Sequence, residues 1–159
     1  MATIAVAGTG YVGLVSGACL ADFGNTVICV DNNQKKIDTL LQGEIPIYEP
    51  GLDDVVRRNV ESGRLSFSVD MAAAVKASDV VFIAVGTPPA DDGSADLTYV
   101  EGVAREIARA MNGYKVVVDK STVPIGTGKR VKAWMLDELS KRPDSASYPF
   151  DVVSNPEFL

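Results

Sequence analysis

Thr3-Ile4-Ala5-Val6-Ala7-Gly8-Thr9-Gly10-Tyr11-Val12-Gly13 is the stretch on which the fold turns. Its first five residues form an uncharged, strand-length apolar run, and the glycines that follow have the spacing of a tight strand-to-helix turn. Gly8 permits the turn, Gly10 lets a diphosphate approach the backbone without meeting a Cβ, and Gly13 lets the helix pack closely on the strand. The free amides and positive dipole end of that helix then face two phosphates, so no basic residue is needed there. On hydropathy alone, the uncharged stretch from Ala2 to Ala21 reads as a leader or a membrane span. No basic segment precedes it, and Gly8, Gly10, Gly13 and Gly17 break it where strand gives way to helix, so a soluble cytoplasmic protein is expected, without membrane association.

Outward from this turn, short apolar runs recur at Thr26 to Val30, Leu65 to Ser68, Val80 to Val85, Lys115 to Val118 and Phe150 to Val153. Between them lie helical periodicities. Leu97, Val100, Val103, Ala104, Ile107, Ala108 and Met111 form one stripe, opened by Asp96 as N-cap. A second helix spans Thr127 to Ser140, with Val131, Trp134, Met135 and Leu139 on one face. The longest connection carries a helix near Asn33 to Leu41, a structured loop through Pro46-Ile47-Tyr48-Glu49-Pro50-Gly51, and a further helix from Leu52 to Glu61. Continuous apolar strands separated by helices predict an α/β, Rossmann-type doubly wound parallel sheet of six strands, order 3-2-1-4-5-6, with helices on both faces.

The 159 residues suit one domain, with 47% hydrophobic and 23% charged residues, near the averages for a globular chain. A net charge of -6 argues against a nucleic-acid partner or an anionic membrane surface. The absence of histidine removes histidine-based triads and His-ligated metals from the possibilities, and no metal site is expected. Cys19 and Cys29 have no CxxC partner and read as free core thiols, Cys19 on the apolar side of the first helix with Val15 and Ala18, Cys29 inside the second strand.

Asp31 ends the second strand, 18 residues beyond Gly13, where a carboxylate can accept from the ribose of an adenosine. Its charge repels a 2′-phosphate, so NAD is expected over NADP. Lys36 softens that preference or contacts the ribose or phosphates. After the fourth strand, Gly86-Thr87-Pro88-Pro89 lies at the switch point beside the first strand, where Thr87 could bond the cofactor or merely cap local backbone. After the fifth and sixth strands come Lys120-Ser121-Thr122-Val123 and Asn155-Pro156-Glu157-Phe158-Leu159. The Thr122 hydroxyl can position a water or polarise a reacting oxygen, and Glu157 can act as general base if partly desolvated. The plainer alternatives are an N-cap cluster and a turn.

GTGYVG, PIYEPGL, VGTP, STVPIGTG and NPEFL, in this order and spacing, resemble the amino-terminal domain of the UDP-glucose/GDP-mannose dehydrogenase family over essentially the whole chain. The resemblance implies an NAD-binding domain over residues 1–159 of an enzyme that oxidises a sugar C6 alcohol to a carboxylate with two NAD+, through an aldehyde and a cysteine thioester. It implies that Gly8, Gly10, Tyr11, Val12 and Gly13 hold the pyrophosphate, Asp31 and Lys36 the ribose, and Val85, Gly86, Thr87, Pro88, Ser121, Thr122 and Val123 line the cofactor. Thr122 would orient the catalytic water and Glu157 serve as base in thioester hydrolysis. With Phe158 and Leu159, Glu157 would also begin the substrate-binding segment.

The closeness of the motifs favours UDP-glucose as substrate, with GDP-mannose, a UDP-N-acetylhexosamine, or a redox-sensing module without chemistry as alternatives. The family's catalytic cysteine and lysine, its central helix, the homodimer built on it and the UDP-sugar-binding domain all belong to later segments, absent here. The 159 residues alone are therefore expected to bind NAD without turnover.

Overall fold

The computed structural model describes residues 1–143 and 148–157. Among these are six strands and six helices, with two helices in succession between the second and third strands and one between each other pair. They are β1 (Thr3–Ala7), α1 (Tyr11–Asp22), β2 (Thr26–Val30), α2 (Gln34–Leu41), α3 (Leu52–Glu61), β3 (Leu65–Ser68), α4 (Met71–Ala77), β4 (Val80–Ile83), α5 (Thr98–Ala110), β5 (Lys115–Asp119), α6 (Thr127–Ser140) and β6 (Phe150–Ser154). Every pairing is parallel and the order is β3-β2-β1-β4-β5-β6, as the sequence predicts. No helix among the described residues is long and apolar enough to cross a membrane.

Strand side chains alternate between two apolar layers, which explains why the strands read as unbroken apolar runs. Ile4, Val6, Val27, Cys29, Leu65 and Phe67 pack on Leu14 and Ala18 of α1, Ile37 of α2 and Val56 of α3. Ala5, Val81, Ile83 and Val117 pack on Val75 of α4, Val100 and Ile107 of α5, and Val131 and Met135 of α6. The chain passes from β3 at one edge, through α4, to β4 beside β1. This passage splits the carboxyl edge of the sheet between β1 and β4 and opens a crevice there.

The boundaries differ from the sequence reading where side chains replace the ladder. β4 stops at Ile83, short of Val85: the Ile83 carbonyl accepts both the Lys120 amide (2.9 Å) and the Ser121 amide (3.0 Å). The Val85 carbonyl then accepts the Ser121 hydroxyl at 2.8 Å instead of a strand partner. β5 and β6 run to Asp119 and Ser154 because those two residues pair with each other. Asp96 stands one position before the N-cap of α5, which is Leu97, and accepts the Thr98 amide (2.9 Å) and hydroxyl (2.6 Å). α4 has no counterpart in the sequence reading. Its run of alanines lacks an apolar stripe, although Asp70 caps it by accepting the Ala73 amide at 2.8 Å.

Cys19 corrects an expectation. It is exposed, because the buried stripe of α1 runs through Gly13, Leu14, Gly17, Ala18 and Ala21 and leaves Cys19 beyond its margin. α1 is apolar nearly all round, so periodicity could not locate that margin. Cys29 is buried as expected, and burial pushes its thiol up to about 12.

Candidate functional site

The β1–α1 turn is shaped by contacts that only glycine allows. Gly8 has φ +105°, its amide donates to the Val30 carbonyl at 2.7 Å, and a Cβ there would lie 2.4 Å from the Ala84 carbonyl oxygen. At Gly13 a Cβ would lie 2.0 Å from the Gly8 carbonyl oxygen, so α1 seats directly on the turn. Gly10, the N-cap of α1, is the opposite case: a Cβ would meet nothing within 4 Å. That open space lies at the amino end of a 12-residue helix with no side-chain cap and no acidic residue in its first turn. The amides of Tyr11, Val12 and Gly13 belong to that first turn, where N–H groups have no partner within the helix. The arrangement fits a diphosphate.

Asp31 lies beside this cradle, its side chain only 10% exposed. Its Oδ2 accepts the Thr9 amide at 3.0 Å and the Thr9 hydroxyl at 2.7 Å, and its Oδ1 accepts the Asn33 amide at 3.0 Å. The Lys36 Nζ stands 3.5 Å from Oδ2. Burial pushes the carboxyl up, but the Asn33 amide, the Thr9 hydroxyl and amide and the Lys36 ammonium outweigh it and hold the group below the usual carboxylate range. The charge is therefore fixed beside the glycine cradle.

Across the crevice, three loops are tied together. The Thr87 hydroxyl donates to the Thr122 carbonyl at 2.7 Å, so its proton is committed to the neighbouring loop while its oxygen keeps acceptor capacity. Ser121 is buried, and its hydroxyl bridges to Val85; its evident work is to hold the loops in register. Val85 and Val123 are half-buried against the core, whereas Gly86 and Pro88 are exposed at the crevice. The Thr122 hydroxyl reaches the Glu157 carbonyl at 3.3 Å, and the Glu157 carboxylate is ion-paired with Lys120. Phe158 and Leu159 lie outside the described residues.

Three further residues belong to this edge and were not singled out from sequence. Thr9 has just been described. Glu49, in the loop between α2 and α3, accepts the Tyr11 hydroxyl, and that bond, burial and the charges of Glu49 and Glu157 raise the phenol above its ordinary range. Asp119, the last residue of β5, is fully buried, with no hydrogen-bond donor on either carboxylate oxygen among the described residues, and burial lifts it to about 6. The one hint of it in sequence is a lone acid closing Val116-Val117-Val118.

Residues 2–159 match the family model described as "UDP-glucose/GDP-mannose dehydrogenase family, NAD binding domain". The UDP-glucose 6-dehydrogenase TuaD of Bacillus subtilis is 55% identical over 159 residues, which are 100% of this chain and 33% of that protein. A UDP-glucose 6-dehydrogenase of Rhizobium meliloti is 56% identical over 157 residues, 98% of this chain and 35% of that protein. The structure of a UDP-glucose dehydrogenase from Pyrobaculum islandicum superposes with a TM-score of 0.91 at 45% identity, covering 100% of this chain and 36% of the other. A GDP-mannose dehydrogenase of Pseudomonas aeruginosa, solved as a ternary complex, gives 0.89 at 43% identity, covering 98% and 36%. The chain thus spans about a third of the length of the relatives it matches. With its glycine turn, its fixed acid and its sheet order, it belongs to the UDP-glucose/GDP-mannose dehydrogenase family, as the NAD-binding domain.

Proposed function

We propose that these residues hold NAD for the oxidation of the C6 alcohol of UDP-glucose to UDP-glucuronate. Bound NAD+ supplies the hydride acceptor. In this reading Gly8, Gly10 and Gly13 shape the cradle, and the amides of Tyr11, Val12 and Gly13 bind the diphosphate. Asp31 and Lys36 bind the adenosine ribose. Val85, Gly86, Thr87, Pro88, Ser121 and Val123 form the wall at the reactive end, where the Thr122 hydroxyl orients a water. The Glu157 carboxylate would take a proton from that water as it attacks the acyl carbon and the C–S bond to the thiol breaks, releasing the thiolate, and Glu157, Phe158 and Leu159 begin the substrate-binding segment. Residues 1–159 act as an NAD-binding domain. The thiol that carries the acyl group, the UDP-sugar pocket and the surface for homodimerisation lie in residues beyond these.

The observation that supports this reading is a juxtaposition at one sheet edge: an open glycine cradle with a fixed acid on one side of the crevice, and Thr122 with the Lys120–Glu157 pair on the other. Neither cysteine serves it. Cys29 is buried, and Cys19 sits about 12 Å along α1 from its amino end, at 1.5 Å per residue.

Calorimetric titration tests the binding half. NAD+ binds, NADP+ binds more weakly, and Asp31→Ala weakens NAD+ by about tenfold; unchanged affinities in that variant would remove Asp31 from the site. For turnover, NADH absorbance is followed with UDP-glucose, GDP-mannose and a UDP-N-acetylhexosamine, using a polypeptide as long as the relatives. UDP-glucose is expected to be the preferred substrate. Sustained NADH formation by residues 1–159 alone would refute the division of labour.

A further inference from the structure

The residue between the first two glycines of the turn is the most constrained polar group of the site. Thr9 is 1% exposed, and both its amide and its hydroxyl donate to the same oxygen of Asp31. An ionised carboxylate offers about four acceptor positions. Here Thr9 occupies two of them and the Asn33 amide a third. Asp31 is left with one free position, on Oδ1, for a ribose hydroxyl. The Thr9 amide, turned to Asp31, is also withdrawn from the diphosphate, which leaves that role to the first turn of α1.

We propose that Thr9 is a specificity-determining positioning residue: by clamping Asp31 Oδ2 it fixes the negative charge of the ribose site and so enforces NAD over NADP. The proposal rests on the reading of Asp31 as the ribose acid. Its physical basis is the difference between a free and a clamped carboxylate. An aspartate able to rotate can carry Oδ2 away from Thr9, give up the contact that now holds Oδ2 3.5 Å from Lys36, and vacate the space a 2′-phosphate needs. Lys36, half-exposed, could then turn to that phosphate. A clamped aspartate keeps Lys36 engaged and stays beside the phosphate as a fixed like charge. The hydroxyl matters beyond the amide because a hydrogen bond from a buried hydroxyl to an ionised acceptor is among the stronger neutral–ion contacts. Any residue at position 9 supplies the amide, but only Thr or Ser adds a short hydroxyl.

The test compares Thr9→Val, Thr9→Ser and Asp31→Ala with the unsubstituted chain, titrating NADH and NADPH by nucleotide fluorescence. Thr9→Val is expected to weaken NADH about fivefold and to leave NADPH unchanged or slightly tighter, so that the NADH-to-NADPH preference contracts by about fivefold or more. Thr9→Ser, which keeps the hydroxyl, is expected to restore the preference. A substitution that only loosened the fold would weaken both nucleotides alike. If Thr9→Val keeps the preference while Asp31→Ala loses it, the clamp is refuted and the ribose assignment stands. If Asp31→Ala leaves both affinities unchanged, the assignment itself fails. One further measurement needs no variant: the carboxyl-carbon NMR titration of Asp31 in the unsubstituted chain should have its midpoint below the usual aspartate range. A midpoint at or above that range would show that the clamp does not exist in solution.

Discussion

Asp119 is a buried acid whose carboxylate has no hydrogen-bond partner among the described residues. It is fully buried at the end of β5, and among the described residues neither oxygen has a donor; the Ser121 amide donates to the Ile83 carbonyl at 3.0 Å. Burial is the dominant influence, only partly opposed by that amide, and it raises the carboxyl from 3.8 to about 6. The folded state thus holds the proton more tightly than the unfolded chain does. Below about pH 3.8 both states are protonated and the residue is neutral to stability. As the pH rises through about 6 the folded state must ionise a buried acid, at a cost of up to roughly 3 kcal/mol. Asp119→Asn, which cannot ionise, should therefore gain on the unsubstituted chain as pH rises. The difference in melting temperature should move in favour of the variant by several degrees between pH 4 and pH 7.5, measured by circular dichroism. A difference that stays constant over that interval would mean that the acid is solvated in solution.

At the scale of the strand–turn–helix element, the glycines of GTGYVG separate folding from binding. A Cβ on Gly13 would collide with the Gly8 carbonyl at 2.0 Å, whereas one on Gly10 would enter empty space, at a backbone conformation (φ −71°, ψ −171°) open to any residue. Gly13→Ala should therefore destabilise the chain by about 1–3 kcal/mol and lose NAD with it. Gly10→Ala should melt at the temperature of the unsubstituted chain and still lose NAD about tenfold or more, because its methyl occupies the diphosphate's approach. Paired melting curves and titrations check both, and a destabilised Gly10→Ala would contradict the open cradle.

This element also marks what the sequence makes legible. Glycine spacing states its purpose directly, since the chain itself excludes a Cβ at Gly8 and Gly13 while the space beside Gly10 stays open. Strand runs and the stripe of α5 are equally plain, because each has a period. What escaped lacks a period or a local partner: α4, an alanine run with no stripe; Cys19, on a helix apolar nearly all round; and Thr9, whose hydroxyl finds Asp31 only after β1 and β2 pair side by side. Asp119 is invisible for the same reason, since its burial is made by elements distant in sequence.

Over the whole molecule the electrostatics are unusual for a partner of a dianionic diphosphate. The chain carries a net charge of -6, and Lys36 and Lys120 are each paired with an acid, Asp31 and Glu157. Long-range attraction is absent, and the diphosphate must be held by short-range amide hydrogen bonds and by the field of α1, which acts only within its first turn. Contacts of that kind are little affected by mobile ions, whereas a basic patch loses affinity steeply as the Debye length shrinks from about 10 Å at 0.1 M salt to about 3 Å at 1 M. Salt also screens the repulsion between the acidic surface and the incoming nucleotide, which works in the opposite direction. The dissociation constant for NAD+ should consequently change less than about threefold between 50 mM and 500 mM sodium chloride, measured by calorimetry at fixed pH. A rise of an order of magnitude or more in that constant over the same range would show that lysine or arginine side chains, and not the glycine turn, carry the phosphates.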